Sequence, residues 1–378
     1  MNPYRQKKIV EFNPHIPPQE AWRQYRLAHP EQSFTHGIMS IDLSQIELVL
    51  IGEMSGDSAF RDAYGQLPYK DLHQTAAASI LAAVTQRPDF TRDDFLALRA
   101  GKNNKGIPLL DAKGQALSPE EAYKYNRGNA GGKGANFEFW YSGSLATLAE
   151  RRGLGSGAIQ TLTQAYCDAF PEAVAWRQEK AAESQRNGFL ELPDGHRRVR
   201  FEATFEWQAL MSNYFRQLGE GLDPEARRAI TSFGDIVVRK ISTRAKNQLI
   251  NALIQGSCAA IIKRSILSIL EGIVQFDARF LFPVHDELVF SVNYDHMLPF
   301  MKFAKPIMAN HPDFISNLVM NSSTSIGRSF QKYHPTKCPY GQIELDEAPK
   351  ELAFVPVHER EGVMSDETIL KIVEYLKQ

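Results

Sequence analysis

The sequence predicts an α+β fold in which strands from distant parts of the chain share one antiparallel sheet. Residues 37–43, GIMSIDL, have the composition of a buried strand, and residues 281–290, LFPVHDELVF, form a second apolar run. The first run carries Asp42, and the second carries Asp286 and Glu287. A lone buried carboxylate is costly unless it has a partner. Pairing of the two runs in one sheet, with Asp42 brought near Asp286, is therefore expected.

Helical patterns occupy much of the chain between these strands. Residues 44–54 predict a helix whose Ser44 and Glu47 match the S-x-x-E capping box. Residues 187–201 predict a hairpin that turns at Pro193-Asp194-Gly195. Residues 243–273 predict a long helix, and its apolar face is supplied by Ile254, Ala259, Ile261, Ile262, Ile266, Leu267 and Leu270.

Three further elements are predicted towards the C-terminus, and one loop-rich segment lies earlier in the chain. Residues 295–310 read as an amphipathic helix and residues 322–330 as a strand. The chain closes with a short helix over 365–378, capped by Ser365. Residues 90–130 predict an insertion with a small hairpin.

The bulk composition is that of an ordinary soluble globular protein. The 378 residues are 43% hydrophobic, and no window of 18 consecutive apolar residues predicts a membrane span. The three cysteines are widely separated, which predicts neither a disulfide framework nor a zinc site and fits a reducing cytoplasm. A net charge of −1 argues against a protein that grips DNA through its whole surface. The basic residues within 196–200 and 238–246 are interpreted either as solvated faces or as local sites for an anionic partner.

Two carboxylates brought together by strand pairing predict a metal site. The acids repel each other unless a cation joins them, and Mg²⁺ prefers carboxylate oxygens, phosphates and water. Two such ions serve in-line phosphoryl transfer. The structural alternative for Asp42 and Asp286 is a buried salt bridge.

A lysine and two aromatic residues share one predicted helix face. Lys133, Phe137 and Tyr141 follow one another at i, i+4 and i+8. A cation followed by two rings can meet a triphosphate and then a sugar and base. The alternative is a helix with a buried aromatic stripe and a surface lysine. The G-x-x-x-x-G-K-[ST] order of a P-loop is absent from this segment.

Four segments in this order resemble the motifs of family A DNA polymerases, the bacterial polymerase I type. They are DLSQIEL (42–48), KGANFEFWYSG (133–143), IQGSCAAIIKRSI (254–266) and VHDELVF (284–290). The resemblance runs from about residue 36 to 330. It implies a right-hand polymerase with an antiparallel-sheet palm and helical fingers.

The resemblance also implies a division of the chain. An N-terminal arm (1–35) would precede a first palm segment (36–60), and the fingers (61–240) would contain the insertion near 90–130. A second palm segment (241–330) would lead into a C-terminal extension (331–378). Thumb and exonuclease domains are expected on a second polypeptide, as in a split phage-type polymerase. The expected location is the cytoplasm of a bacterium or of a phage-infected cell.

The resemblance assigns metal binding to the acids of the first and last motifs. Asp42 and Asp286, assisted by the carbonyl of Leu43, would hold two Mg²⁺ ions, with Mn²⁺ as a substitute. Glu287 would tune the site. His285 would contact the primer end, and the alternative is a packed strand histidine.

Substrate binding is assigned by the same resemblance. Lys133 would contact the triphosphate and help to protonate the leaving pyrophosphate, Phe137 would lie against the incoming sugar and base, and Tyr141 would sit at the templating position. Glu47 would close the space near the sugar 2′ position, with the capping box as its alternative role. Three further residues are expected near the nucleotide, His73 as a phosphate ligand with a surface histidine as the alternative, and Gln45 and Arg127.

Contacts to the primer–template duplex are assigned to the long helix. Asn251 and Gln255 would touch the minor groove near the new base pair, where acceptor positions are shared by all sequences. Arg244 would replace a family arginine, whose own position is Asn247.

Three more positions depart from the family pattern around the lysine helix. Asn129 stands where an arginine is usual, and Glu138 and Ser142 stand where glycines are usual. A carboxylate at 138 could repel template or substrate.

Three functions are consistent with these residues. The first is a template-directed DNA polymerase subunit that binds primer–template DNA and dNTPs. The second is a catalytically weak structural or DNA-binding subunit of a replication complex. The third is a nucleotidyltransferase with an altered substrate or template requirement.

Overall fold

A computed structural model describes residues 35–195, 198–200, 202–360 and 363–377, without the side chains of 198–200, 202–205, 244 and 246. The predicted N-terminal arm therefore lies outside the described residues, apart from Thr35. The chain forms two compact units. The sheet unit comprises Met1–Leu43, Ser265–Ile307 and Ser322–Gln378, and the helical unit comprises Ser44–Arg264 and Met308–Asn321.

The sheet unit is built on five strands, which confirms the predicted α+β class. Its strands and helices are β1 (His36–Leu43), β4 (Ala278–Val284), β5 (Glu287–Asn293), α12 (Met297–Ala309), β6 (Ser322–Gly327), β7 (Ile343–Glu344) and α13 (Asp366–Lys377). The spatial order is β4-β5-β1-β6-β7. Every neighbouring pair is antiparallel, so the central strand β1 hydrogen-bonds to two strands that follow it by more than 230 residues.

Strand pairing brings the predicted acids together. In the β1–β5 ladder Asp42 lies opposite Glu287, and the Leu43 N–H donates to the Asp286 carbonyl at 3.2 Å. The prediction of one continuous strand through 281–290 is wrong, because a turn at His285 and Asp286 separates β4 from β5. His285 has φ 55°, a left-handed conformation that a strand cannot accommodate. Asp286 therefore lies at the tip of a hairpin.

Helices cover the sheet with apolar side chains. The ring centroids of Phe290 on β5 and Phe300 on α12 are 5.0 Å apart, and both residues are buried. The predicted C-terminal helix is confirmed as α13, and the Ser365 hydroxyl accepts from the Thr368 N–H. The buried residues of α13 include Ile369, Ile372, Val373 and Leu376.

The helical unit contains most of the remaining elements. They are α1 (Ile46–Ser55), α2 (Ser58–Tyr64), α3 (Leu72–Val84), α4 (Arg92–Arg99), α5 (Pro119–Arg127), α6 (Gly132–Ser142), α7 (Ala146–Arg151), α8 (Gly157–Ala169), α9 (Pro171–Asn187), β2 (Phe189–Glu191), β3 (Arg198–Arg200), α10 (Glu202–Leu218) and α11 (Pro224–Gly272). The predicted hairpin is confirmed by the antiparallel pairing of β2 with β3. α11 contributes its residues up to Arg264 to this unit and the rest to the sheet unit.

Two predictions about helices are corrected. The capping box of Ser44 and Glu47 is absent, because α1 begins at Ile46 and its N-cap is Gln45, in a left-handed conformation with φ 57°. The predicted long helix starts at Pro224 rather than 243, and two members of its proposed apolar face, Leu267 and Leu270, are exposed.

The segment predicted as an insertion is more ordered than its sequence suggested. Residues 90–130 contain α4 and α5, and Leu110 pairs with Ala116 in a small bridge, as the hairpin prediction required. Their apolar residues pack on α3 in a core made of Ala77, Ala78, Leu81, Phe90, Phe95, Leu98, Ile107, Leu109, Ala122 and Tyr123.

Close helix packing explains the glycines before Lys133. A Cβ placed on Gly132 would lie 1.8 Å from the carbonyl oxygen of His73, so only glycine permits this approach of α6 to α3. On the other side of α6, buried Trp140 and Phe139 pack edge to face at 5.3 Å. These contacts leave one face of α6 exposed.

Two further findings concern membrane-spanning helices and cysteines. No helix in the described part of the chain is long and apolar enough to cross a membrane. The cysteines Cys167, Cys258 and Cys338 are all free thiols.

Candidate functional site

Acidic side chains gather at one end of the sheet in the sheet unit. Burial, followed by repulsion from Asp286, Glu287 and Glu344, raises the pKa of Asp42 to about 7. Burial and the neighbouring carboxylate of Glu347 also raise the pKa of Glu344. This acidic cluster (Asp42, Asp286, Glu287 and Glu344) thus carries negative charge that the fold itself disfavours. A buried salt bridge would have lowered the pKa of Asp42 instead.

The acidic cluster offers oxygen donors of the kind that a hard divalent cation binds. Carboxylate and carbonyl oxygens are the donors that Mg²⁺ prefers, and a cation would relieve the repulsion that raises the pKa of Asp42. Within the described ranges, no group of three or more His, Cys, Asp or Glu side chains is spaced to hold a metal ion. The predicted ligand set of two carboxylates and the Leu43 carbonyl is smaller than such a group.

His285 stands beside this cluster on the hairpin turn. Its side chain is exposed, so the alternative of a packed strand histidine is wrong. The turn presents His285 and Asp286 in succession, while β5 immediately after them is buried from Leu288 to Phe290. The buried part of β5 therefore holds the turn that carries His285 and Asp286.

The three residues predicted on one face of α6 share that face in the structure. Lys133 is exposed, the Phe137 ring is 38% exposed, and Tyr141 is half-buried. The alternative of a buried aromatic stripe is therefore wrong, since the buried rings of α6 belong to Phe139 and Trp140.

Glu47, Tyr141 and Gln255 form a hydrogen-bonded group in the helical unit. The Gln255 carboxamide donates to Glu47 Oε1 and to the Tyr141 hydroxyl, the latter at 2.9 Å. Burial and the hydrogen bond with Glu47 raise the pKa of Tyr141. Glu47 is thus held by side chains from α6 and α11, which is compatible with the predicted steric role at the 2′ position and leaves no role for it as an N-cap partner. Gln45, beside it, accepts at 2.9 Å from Tyr64.

His73 lies in the interior beside α6. It is only 5% exposed, so the surface-histidine alternative is wrong. Burial is the main cause that lowers its pKa to about 4; Asp71 opposes this shift, and Arg127 and Lys133 add to it. Its ring centroid lies 6.2 Å from that of Phe137.

Arg127 is linked to His73 through the carboxylate of Asp71. Its Nε donates to Asp71 Oδ2, and Asp71 Oδ1 accepts from the His73 N–H at 2.9 Å as the N-cap of α3. Arg127 and His73 therefore share Asp71, and the guanidinium is partly exposed.

Two departures from the family pattern, Glu138 and Asn247, have local explanations. Glu138 Oε1 accepts at 2.6 Å from the Thr147 N–H in the first turn of α7, so the carboxylate serves a helix end. Asn247 accepts from Arg177 at 2.7 Å and donates to the Ser142 carbonyl at 2.8 Å. At Asn129 the backbone carbonyl accepts from Arg151, a contact that does not depend on the side chain, so this departure has no structural explanation.

A cleft of about 670 Å³ opens beside Tyr141 in the helical unit. Its walls come from α6 and α11, and its lining residues are Tyr141, Ser142, Ile236, Arg239, Lys240, Thr243, Asn247, Gln248 and Asn251. The cleft thus joins two predicted site residues, Tyr141 and Asn251, to two exposed cations. Arg244 was also predicted to contact the duplex, but its side chain lies outside the described part of the structure.

Three residues of these surroundings escaped the sequence reasoning. Asn136 hydrogen-bonds to His73, Tyr166 hydrogen-bonds to Asn136, and Glu344 joins the acidic cluster from β7. Asn136 stands within the quoted KGANFEFWYSG segment, which was the one available signal. Glu344 lies in a segment without periodicity, and only the pairing of β7 with β6 places it.

Residues 112–332 match the model of DNA polymerase family A, which is more than half of the chain. The chain belongs to DNA polymerase family A. This matched range contains Lys133, Asp286 and α11, whereas Glu344 and α13 lie beyond it.

Known proteins of this family resemble the chain at low identity. DNA polymerase I of Pseudomonas aeruginosa is 22% identical over 299 residues, which cover 79% of this chain and 25% of that protein. The thermostable DNA polymerase I of Thermus aquaticus is 21% identical over 271 residues, 72% of this chain and 24% of that protein. The chain therefore spans about a quarter of the length of these family A relatives.

A solved structure shares the fold. It is the POL domain of Pol1 from M. smegmatis in complex with DNA primer-template and dNTP, with a TM-score of 0.51 and 19% identity. The likeness covers 78% of this chain and 40% of that one. The α+β architecture is thus that of a polymerase domain.

Proposed function

We propose that this chain is the catalytic palm and fingers portion of a template-directed DNA polymerase. It would join a dNTP to the 3′-hydroxyl of a primer and release pyrophosphate. The observation that carries the proposal is the meeting of Asp42 and Asp286 at one end of the sheet in a family A chain. The M. smegmatis domain, described with primer-template and dNTP, supports these substrates.

The acidic cluster is proposed to hold the metal. Asp42 and Asp286, with the Leu43 carbonyl, would bind Mg²⁺, or Mn²⁺ in its place. Bound there, the metal would supply charge for the phosphates and a lowered pKa for the primer hydroxyl. Glu287 and Glu344 add negative charge around these ligands and so strengthen the attraction for a cation. His285, exposed on the same turn, is proposed to contact the primer end.

The exposed face of α6 is proposed to bind the nucleotide. Lys133 would pair with the triphosphate and supply a proton to the leaving pyrophosphate. Phe137 would stack against the sugar and base, and Tyr141 would lie at the templating position. Glu47, held by Gln255, would exclude a 2′-hydroxyl.

Duplex contacts are proposed for α11 and the cleft beside it. Asn251 and Gln255 would reach the minor groove, and Arg239 and Lys240 offer charge to phosphates. Strands β1, β4, β5 and β6 of the sheet unit would then belong to the palm (36–60 and 241–330), and residues 61–240 of the helical unit would be the fingers. A second polypeptide that supplies thumb and exonuclease stays a prediction from the resemblance, tested by whether candidate partners increase primer extension.

Primer extension tests the enzyme. With labelled primer–template, all four dNTPs and Mg²⁺, Asp286→Asn is expected to lower the rate by at least about 100-fold, because a metal ligand is lost. Asp295→Asn is the matched control, since Asp295 is an exposed acid of the same unit that pairs with Lys377. Equal rates for wild type and Asp286→Asn would contradict the proposal.

The departures at Asn129 and Ser142 motivate a second candidate, a subunit that binds DNA with little catalysis. In that case wild type and Asp286→Asn would be equally inert while primer–template binding persists. A nucleotidyltransferase with an altered template requirement would instead extend a single-stranded primer, so a reaction without template completes the assay.

A further inference from the structure

A buried chain of hydrogen bonds ends on His73. The Tyr166 hydroxyl donates to Asn136 Oδ1 at 2.7 Å, and Asn136 Nδ2 donates to His73 Nδ1 at 2.8 Å. Tyr166 and Asn136 are fully buried, and His73 is nearly so. We propose that Tyr166 and Asn136 form a relay that holds His73 as the Nε2–H tautomer, so that His73 is a fixed hydrogen-bond donor to a phosphate oxygen of the incoming nucleotide. This inference rests on the proposed polymerase function.

The direction of the relay follows from its donors and acceptors. A carboxamide has one acceptor oxygen and one donor nitrogen, so Asn136 must donate to one neighbour and accept from the other. If the amide were reversed, the proton of the Tyr166 hydroxyl would lose the one acceptor that it has among the described residues. A buried donor without an acceptor is costly, so this reversed orientation is disfavoured. The observed direction satisfies all three groups and requires a lone pair on His73 Nδ1.

A histidine that accepts at Nδ1 carries its proton on Nε2 when it is neutral. Three charged groups surround the ring: Asp71 at the start of α3, Arg127 on α5 and Lys133 on α6. Burial and the two cations outweigh Asp71, so the imidazole is neutral at physiological pH. His73 therefore offers a directed N–H rather than a charge.

The position of the relay suits a nucleotide ligand. The two ring nitrogens diverge, and Nδ1 is occupied by Asn136, so Nε2 is the nitrogen left for a ligand. The ring lies beside Phe137, on the exposed face of α6 that also carries Lys133. A neutral donor next to the Lys133 ammonium gives a triphosphate one direction-specific contact beside one charge.

The tautomer can be read directly in the chain labelled with ¹⁵N-histidine. Long-range ¹H–¹⁵N spectra distinguish Nδ1–H, Nε2–H and doubly protonated rings, and His73→Gln assigns the signal among the ten histidines. Between about pH 6 and 8 the wild-type ring is expected to be neutral, because its pKa is lowered, and to carry its proton on Nε2, because Asn136 donates to Nδ1. In Asn136→Asp, a carboxylate would face Nδ1 and accept its proton, so His73 is expected to become the Nδ1–H tautomer, which has no N–H on Nε2.

Steady-state kinetics test whether the relay affects nucleotide binding. Asn136→Asp is expected to raise the KM for dNTP about tenfold, the loss of one hydrogen bond to a charged group, with a smaller change in kcat. Tyr166→Phe is the second variant: it frees the amide to rotate, so His73 should show mixed tautomers and an intermediate KM. Tyr123→Phe is the matched control, because it removes a buried hydroxyl bonded to Gln74, the next residue along α3.

Two results would overturn the relay: a wild-type His73 in the Nδ1–H form, or unchanged tautomer and KM in both relay variants. Failure of the proposed function looks different. Wild type would then lack primer extension, while the tautomer would still switch between wild type and Asn136→Asp.

Discussion

Asp57 fixes the ends of two helices with one side chain. Its Oδ1 accepts from the Ala59 N–H at 2.9 Å as the N-cap of α2, and its Oδ2 accepts at 3.0 Å from the Ala173 N–H in the first turn of α9. The residue is fully buried. Both helix ends would otherwise leave N–H groups without partners in the interior.

Asp57→Ala is expected to lower the free energy of unfolding by about 2–4 kcal/mol, because two buried caps are lost together. Asp57→Asn should cost less, since its remaining oxygen still caps one helix. Urea unfolding followed by circular dichroism measures both variants. Equal stability of Asp57→Ala and wild type would contradict the double cap.

The hydrogen bonds on Glu47 lead to a prediction about sugar selection. Glu47→Ala is expected to raise ribonucleotide incorporation relative to dNTP by about 10- to 100-fold, because the space near the 2′ position opens. Gln255→Ala should act in the same direction but less, since it only releases the carboxylate of Glu47. Single-nucleotide insertion kinetics measure the ratio.

Gln164→Ala provides the comparison for that experiment, because Gln164 is exposed on α8 and bonds to Asp168. An unchanged ratio of ribonucleotide to dNTP incorporation in Glu47→Ala would contradict the steric role of Glu47.

At the scale of elements, contacts with α3 and α7 position the two ends of α6. Gly132 allows its first turn to approach α3, and Glu138 reaches from its second half to the start of α7. The exposed face between them carries Lys133 and Phe137. The glycine run before Lys133 therefore allows α6 to pack closely against α3.

Gly132→Ala is expected to destabilise the protein by about 2–3 kcal/mol, because its Cβ would overlap the His73 carbonyl and push α6 away. Gly157→Ala is the matched control: Gly157 begins α8, and its Cβ would meet nothing within 4 Å. The control should be neutral or slightly stabilising, since alanine favours a helix. Thermal unfolding of both variants tests the difference, and equal midpoints would contradict the packing argument.

At the scale of the whole molecule, the acidic cluster couples stability to pH and to metal. The folded protein raises the pKa of Asp42 to about 7 from the ordinary value near 3.8, so the fold favours the protonated form. The stability that protonated Asp42 contributes is fully present below its ordinary pKa of 3.8. It is lost as the pH rises through the folded-state pKa of about 7. A bound cation would reverse this loss.

In a metal-chelating buffer, wild type is therefore expected to lose roughly 2 kcal/mol of stability between pH 5 and pH 8, a figure reduced for the solvent that reaches Asp42. Asp42→Asn should flatten this dependence. Mg²⁺ at pH 8 should raise the melting temperature of wild type and not of Asp42→Asn. Denaturant unfolding at each pH, with Asp295→Asn as the control, measures both effects; parallel pH curves for wild type and Asp42→Asn would contradict the assignment.

Much of the fold was predictable because the signals are local or repeated. Apolar periodicity located α12 and α13, and turn residues located the β2–β3 hairpin. The errors arose where local patterns compete. The S-x-x-E pattern of Ser44 and Glu47 satisfies a capping box on paper, but Glu47 instead bonds to Gln255, more than 200 residues away.

The sequence by itself indicated the family and the order of its motifs, and it predicted that the strand carrying Asp42 pairs with the apolar run around Asp286, because motif residues and apolar runs are signals within short local segments. Only the tertiary structure decided that Asp286 sits on a turn, that Glu344 joins the acids, and that Asn136 and Tyr166 stand behind His73. These depend on hydrogen bonds and Coulomb interactions between residues far apart in the chain. Such interactions act over a few ångströms in space and leave no period in the sequence.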